Sequence, residues 1–412
     1  SPIDLNSGTI KDTKGNNAAL TFTPPNTTNV KVNYPSLGMD FVYDSDGRYT
    51  LNGTVYNDLT SFLSATGGTF TRASIGTYFD STGTLQTAAS GTPRFDYDPI
   101  THAAKGILIE ESRTNVLKDS SNPTTANWTR ANVSATAGTN LAPDNTMSGS
   151  TITVTVAASP AILQKPPLAA GYVFSAYIKA GTATSADVGL YNYTTTSWGT
   201  VASESTGLIL QGPGTIVQNN YARWRITGLS STQWTRFSVY RSTQADGALI
   251  YPGTNAAAVG SSLIMWGAQV ESGTFATSYI PTTSVAVTRS ADTFSIPTGG
   301  WYNYAEGSIL SQALVPKTIN SAASNSFISI DDGTTSNFIT SRILTNFSTE
   351  LAVKVGGINQ LNKGSVTVGA NSLTNLGFSF SGTNFSLSAN GNTPVNATAP
   401  SIPTVTKIQI GR

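Results

Sequence analysis

The run Thr151–Ser159, TITVTVAAS, puts Ile152, Val154 and Val156 at every second position with threonine between them. Side chains along a strand alternate between two faces, so this spacing predicts a strand with one greasy side and one wet side. Runs of similar texture lie on both sides of it. They are NWTRANVSATAG (127–138), GYVFSAYIKAG (171–181), SADVGLYNYT (185–194), ARWRITGL (222–229), QWTRFSVYRS (233–242) and SSLIMWGAQVESG (261–273). Their spacing and the turn residues between them predict a β-sandwich. A second series follows: SFISIDDG (326–333), ELAVKVGG (350–357), GFSFSGTNFSLSANG (377–391) and KIQIGR (407–412), broken at DG, GG, SGTN and NG turns. Phe378 and Phe380 should pair with Phe385 and Leu387 across a hairpin. Together these runs predict an all-β chain.

The totals agree. Of 412 residues only 11% are charged, against about a quarter in ordinary domains. Apolar residues make up 39%, which is enough for packed cores. A net charge of +1 without a basic stripe points away from nucleic acid. No apolar run of about eighteen residues exists to insert in a membrane. The opening SPIDLNSGTIKD lacks the basic and apolar regions of a secretory signal. With no cysteine, disulfides and thiolate metal sites are excluded.

Before the first sandwich, Val30, Val32 and Tyr34 alternate within a polar arm. MDFVYDSDGRYTLNGTVY (39–56) then reads as a small meander, with Asp46-Gly47 and Asn52-Gly53 supplying the turns. Asp44 to Gly47 imitates the start of a calcium loop, but the later ligands are missing. Asn57-Asp58 caps a short helix carrying Leu59, Phe62 and Leu63 on one face, and Gly67-Gly68 stops it. From Thr69 to Asn115 the chain gathers Arg72, Arg94 and Arg113 with Asp96, Asp98, Glu110 and Glu111. Asp96 and Asp98 share one strand face, which leaves open a Ca²⁺ site or an acid/base pair. Three arginines beside four acids favour a structural charge network, with the two aspartates accepting Arg72 and Arg113.

This stretch, TFTRAS…TYFD..G.LQTA….PRFDYDP…..KGILIEE.RTN, resembles a module of bacteriophage tail-fibre and related virion structural proteins. The run WGAQVESGTFATSYIPTTSVAVTRSAD (266–292) is similar to the closing signature of a carbohydrate-binding-module jelly roll in the same setting. The C-terminal series resembles a concanavalin-A/laminin-G-like sandwich. The resemblance implies an extended arm over 1–38, a β-rich coupling module over 39–118, a jelly roll over 119–295 and a lectin-like sandwich over 296–412. It further implies a homo-oligomer, a trimer first, held to other virion proteins through the arm and facing a host glycan or receptor. In such relatives more strands follow IGR, so either the C-terminal sandwich is incomplete here or a neighbouring element covers the edge that its last strand would leave open.

Chemistry leaves few openings. His102 is the sole histidine and sits in a turn, without a G-x-S-x-G elbow. Metal sites built on histidine, phosphate loops and dinucleotide fingerprints are absent. The carboxylate pairs Asp331/Asp332 and Asp96/Glu110 are the candidates for a polysaccharide depolymerase, and neither has the geometry expected of one. The chain therefore reads as a non-enzyme with no cofactor and no metal. Sugar binding needs aromatic faces in exposed loops, and Tyr191, Tyr193 and Trp198 in LYNYTTTSWGT are the candidates. Tyr251 and Trp301-Tyr302 come after them, while Trp128, Trp224, Trp234 and Trp266 read as core. The function implied is host attachment from a virion appendage. A head-decoration, collar or whisker protein whose sandwiches touch only neighbouring chains is the alternative.

Overall fold

The computed structural model describes residues 36–42, 44, 47–198, 208–218, 223–314, 325–344, 346–369 and 372–411. Val30, Val32, Tyr34 and Asp46, named above, lie outside the described residues. Among the described residues there is one α-helix, and nearly everything else regular is antiparallel strand. No described helix is long and apolar enough to cross a membrane.

The first sandwich stacks two six-stranded sheets. One runs Thr129–Ala131, Ala161–Gln164, Gly247–Pro252, Ser185–Tyr191, Trp224–Thr227, Thr215–Gln218 in spatial order. The other runs Val133–Asn140, Gly149–Val154, Ser262–Ser272, Tyr172–Ala180, Thr235–Arg241, Leu208–Gln211. Successive strands change sheet repeatedly, as a jelly roll requires. Alternate residues of both sheets, among them Ile162, Phe174, Val188, Phe237, Ile250 and Val270, meet in one core. The TITVTV run enters this core through Ile152 and Val154, at 0% and 1% exposure, but Val156 is 50% exposed. The strand ends at Val154 because the next two amides both turn to the Asn132 carbonyl, at 2.9 and 3.3 Å. The period was right and its length was too generous by one pair.

The second sandwich has a seven-stranded sheet in the order Ile358–Thr367, Ser348–Val355, Phe338–Ile343, Asn325–Asp331, Lys407–Ile410, Thr293–Pro297, Thr69–Thr71. Opposite it lie Glu306–Leu314, Leu373–Ser381, Asn384–Ala389 and Val395–Thr398. The aromatic hairpin has the anticipated register, Phe378 against Leu387 and Phe380 against Phe385. The edge beside IGR is covered by a neighbouring element, the second of the two alternatives. Lys407–Ile410 lies inside the sheet, hydrogen-bonded to Asn325–Asp331 on one side and Thr293–Pro297 on the other.

The N-terminal elements are built into both sandwiches. Asp58 caps the helix Leu59–Thr66, its carboxylate accepting from Ser61 N at 2.7 Å, and Gly67 closes it with φ +67°. The meander Leu37–Met39, Tyr49–Leu51, Thr54–Tyr56 packs with this helix. Tyr49, Leu59 and Phe62 share a core with Phe294, Ile296 and Phe378 of the second sandwich. The strand Thr69–Thr71 pairs directly with Thr293–Pro297. The hairpin Gly76–Phe79/Leu85–Ala88 instead caps the first sandwich, where Phe79 and Leu85 pack on Tyr177, Trp266 and Tyr279.

Candidate functional site

Where these layers meet, two carboxylates and three arginines are buried together. Asp292 accepts Arg72 Nη1 at 3.0 Å and Arg94 Nη2 at 2.5 Å, and its side chain also takes the Glu110 amide at 2.9 Å. Glu110 accepts Arg94 Nη1 at 2.9 Å and lies 3.5 Å from Arg289 Nη1. Ser278 adds its amide and hydroxyl to Glu110 at 2.7 and 2.6 Å. Burial alone would push the Glu110 carboxyl up, but Arg289 and Arg94, then Ser278, overcome it and hold it down to about 2.

This differs from the pairing expected from the sequence. Asp96 and Asp98 do not accept Arg72 or Arg113. Both lie near Lys105, at 3.7 and 3.8 Å. Asp96 also takes the Phe79 amide at 2.9 Å, and burial raises its carboxyl above the usual range. Asp98 fastens a turn through the Ile100 and Thr101 amides. Arg113 pairs with Glu111, two residues away, and lies over the Phe275 ring at 5.3 Å. The residues missed were Arg289 and Asp292. Both stand in VTRSAD at the end of the jelly-roll signature, and the scarcity of charge elsewhere was the signal that pointed to them.

The Glu110 shift predicts an acid transition. A carboxyl whose folded value is depressed stabilises the fold above its unfolded value, near 4.5, and loses that contribution as pH falls toward about 2. The span corresponds to about 3 kcal/mol. Urea unfolding of the native protein should therefore weaken between pH 5 and 2 more steeply than that of Glu110→Gln. Parallel pH profiles for the two proteins would refute the assignment.

The other carboxylate candidates are engaged in turns. Asp331 accepts Gln409 Nε2 and the Gly333 amide, and Asp332 accepts Thr334 and Asn337. Asp96 and Glu110 are held by separate partners, as described above. Glu271, wholly buried, has its carboxyl raised by burial despite donors from Thr277 and Gln269.

The aromatic candidates do come together. Tyr191 ends its strand, and a bridge between Asn192 and Ser197 closes the threonine turn that follows. The Tyr191 ring is 4.8 Å from both Tyr193 and Trp198, and Trp198 is 6.1 Å from Tyr251. They lie on the outward face of their sheet, beside Leu163 and Leu249. Tyr191, Tyr193 and Trp198 are half-buried, and not the free-standing rings that a threonine-rich loop suggested. Basic groups join them. Lys165 Nζ lies 3.7 Å from the Tyr193 ring centre, and Arg223 is 5.7 Å from Trp198 and 5.2 Å from Tyr251. Buried Asp187 holds Arg223 and Arg225, at 3.3 and 2.7 Å. Burial, then Tyr251, Tyr191 and Asp246, push the Tyr193 hydroxyl up to about 12.

Of the remaining aromatics, Trp128, Trp224 and Trp266 are buried. Trp234 is partly buried against the Trp266 cluster, its Nε1 donating to Leu141 O at 3.1 Å. Trp301 and Tyr302 pack on the second core.

No known family and no curated relative matches the chain. Among solved structures it is similar to the mouse laminin alpha1 chain, domains LG4-5. The identity is 12% and the TM-score 0.20, over 58% of this chain and 75% of that one. That likeness is too slight to bear on function.

Proposed function

We propose that this chain is a bacteriophage virion structural protein of the tail-fibre or adhesin kind, non-enzymatic, displaying a glycan- or receptor-binding sandwich for host attachment. The observation that carries the reading is the Tyr191–Tyr193–Trp198–Tyr251 cluster on an outward sheet face. The outward face of the opposite sheet is already covered by the Phe79–Leu85 hairpin. A clustered aromatic surface joined by Lys165 and Arg223 suits the apolar face of a pyranose and the hydroxyls around it. The tail-fibre-like motifs between Thr69 and Asn115 support the virion setting. On this reading the chain is a homo-oligomer, with a trimer favoured, and residues 1–38 dock it to other virion proteins.

The structural alternative, a decoration, collar or whisker protein, has one observation in its favour: the three rings pack on one another and on their own sheet. Binding of the full chain to intact host cells separates the two. Trp198→Ala with Tyr193→Ala should weaken that binding by about thirtyfold or more, as truncation of clustered aromatic anchors does. Unchanged cell binding together with lost self-assembly would overturn the adhesin in favour of the scaffold.

A further inference from the structure

Cross-strand register fixes which charges share the outward face with the aromatic cluster. Asp187 stands opposite Tyr251 on one side and Arg225 on the other. Their chain neighbours Ala186, Val188, Trp224, Ile226 and Ile250 fill the first core, so these three point outward. At the other end of the strand Ser185–Tyr191, Tyr191 is opposite Gly247. Gln164 pairs with Ala248, which puts Lys165 level with Gly247 and Tyr191. Three strand spacings and four residues therefore separate Lys165 from Arg225, roughly 20 Å between their Cα atoms. The rings of Tyr193, Tyr191, Trp198 and Tyr251 succeed one another across that span.

Along this path the cations outnumber the acids. Asp187, at 0% exposure, accepts Arg225 Nε and Nη2 on its two oxygens, with Arg223 Nε 3.3 Å from one of them. One carboxylate thus serves two guanidinium groups. Arg225 Nη1, on the edge turned away from Asp187, has no acceptor among the described residues, and the side chain is 33% exposed. Asp246 engages its oxygens with the Tyr193 amide and the Thr194 hydroxyl. Among the described residues Lys165 has no carboxylate at ion-pair distance, and its ammonium rests over the Tyr193 ring. Gly247 admits that ring, since a Cβ there would sit 2.5 Å from Tyr193 Cε2. Tyr193 is thereby enclosed between glycine and lysine, and positions the ammonium.

We propose that the aromatic cluster takes an acidic oligosaccharide, with anionic groups at Lys165 and Arg225 and a sugar ring on half-exposed Trp198 between them. A carboxylate can accept Arg225 Nη1 and the second N–H of Nη2 side by side, the paired geometry that guanidinium groups favour. The distance between the two cations calls for several linked sugars, because one acidic sugar cannot reach both. This class rests on the reading of the cluster as a glycan site, and adds what kind of glycan it holds.

The test is calorimetry on the full chain with tetragalacturonate and tetrasialic acid beside maltotetraose and mannotetraose. At least one acidic tetrasaccharide should bind about tenfold or more tighter than either neutral one, and should weaken as salt is added. Lys165→Gln, at an exposed side chain, should reduce that affinity about tenfold, the loss expected for a bond to a charged group. Arg225→Gln, checked for a native unfolding profile, should do the same. Tetraglutamate, charged but without a sugar ring, should not compete. The acidic class is overturned if a neutral tetrasaccharide binds as tightly, if both variants keep the acidic affinity, or if tetraglutamate competes. Neutral binding that is lost in Trp198→Ala and kept in Lys165→Gln refutes the acidic class and leaves the glycan reading standing. No response to any of the four saccharides also overturns the class, and host-cell binding by Trp198→Ala then decides the display reading separately.

Discussion

Asp292→Ala is expected to destabilise the protein by about 3–5 kcal/mol, the range for stranding one side of a buried ion pair. Asp292 takes bonds from Arg72, Arg94 and the Glu110 amide, and neither arginine side chain has measurable exposure. Without it, Arg72 has no carboxylate partner among the described residues, and Arg94 and Arg289 keep only Glu110. Asp292→Asn should recover little, because its amide adds a donor where the arginines already supply donors. Asp98→Ala is the matched control. Its partner Lys105 is 3.8 Å away and partly exposed, and its bonds from the Ile100 and Thr101 amides are at the surface, so removal should cost only about 1 kcal/mol. Urea unfolding at pH 7 measures all three. An Asp292→Ala protein as stable as the Asp98→Ala protein would show that the cluster is not what fastens these layers together.

The same comparison shows where the sequence stops being legible. Period two was readable because burial imposes it locally, and Ile152, Val154, Phe378 and Phe380 all face inward as their spacing says. The helix was equally local, since Asp58 and Gly67 act on their own turns. The charge network is legible in Arg72, Arg94 and Glu110, but not in Arg289 and Asp292. Asp96 and Asp98 were chosen because they are close along the chain, whereas Arg72 reaches its carboxylate across 220 residues. Nothing in a strand pattern encodes that meeting. That a neighbouring element covers the edge beside the closing strand is legible, but which element does so is not, because spatial order within a sheet is set by long crossovers and not by chain order. Tyr191, Tyr193 and Trp198 do lie together, but their setting is not the one that the composition suggests. Thr194–Thr196 are exposed as the composition suggests, while the flanking rings turn back onto Leu163, Leu249 and Tyr251.

Phe294→Ala should be the costliest change outside the charge cluster, at about 3–5 kcal/mol for emptying a fully enclosed aromatic site. Phe294 is 1% exposed and sits one strand in from the edge, with Phe70 opposite it on one side and Ile410 on the other. Its ring meets Phe41 edge-on at 5.5 Å, and the neighbouring Tyr49 stacks on Phe62 of the helix at 5.4 Å. The cavity would therefore open between the meander–helix layer and the seven-stranded sheet, and would not lie inside either one. Amide exchange should show the change as lost protection across Tyr49–Thr66 and Thr69–Thr71, with the first-sandwich strands Tyr172–Ala180 and Ser262–Ser272 keeping theirs, because those draw on a separate core. Leu310→Ala, at a side chain 77% exposed, should stay within about 0.5 kcal/mol of the native protein. If Phe294→Ala instead leaves the helix as protected as before, the N-terminal layer is stable by itself, and the shared core is a contact surface and not the source of its fold.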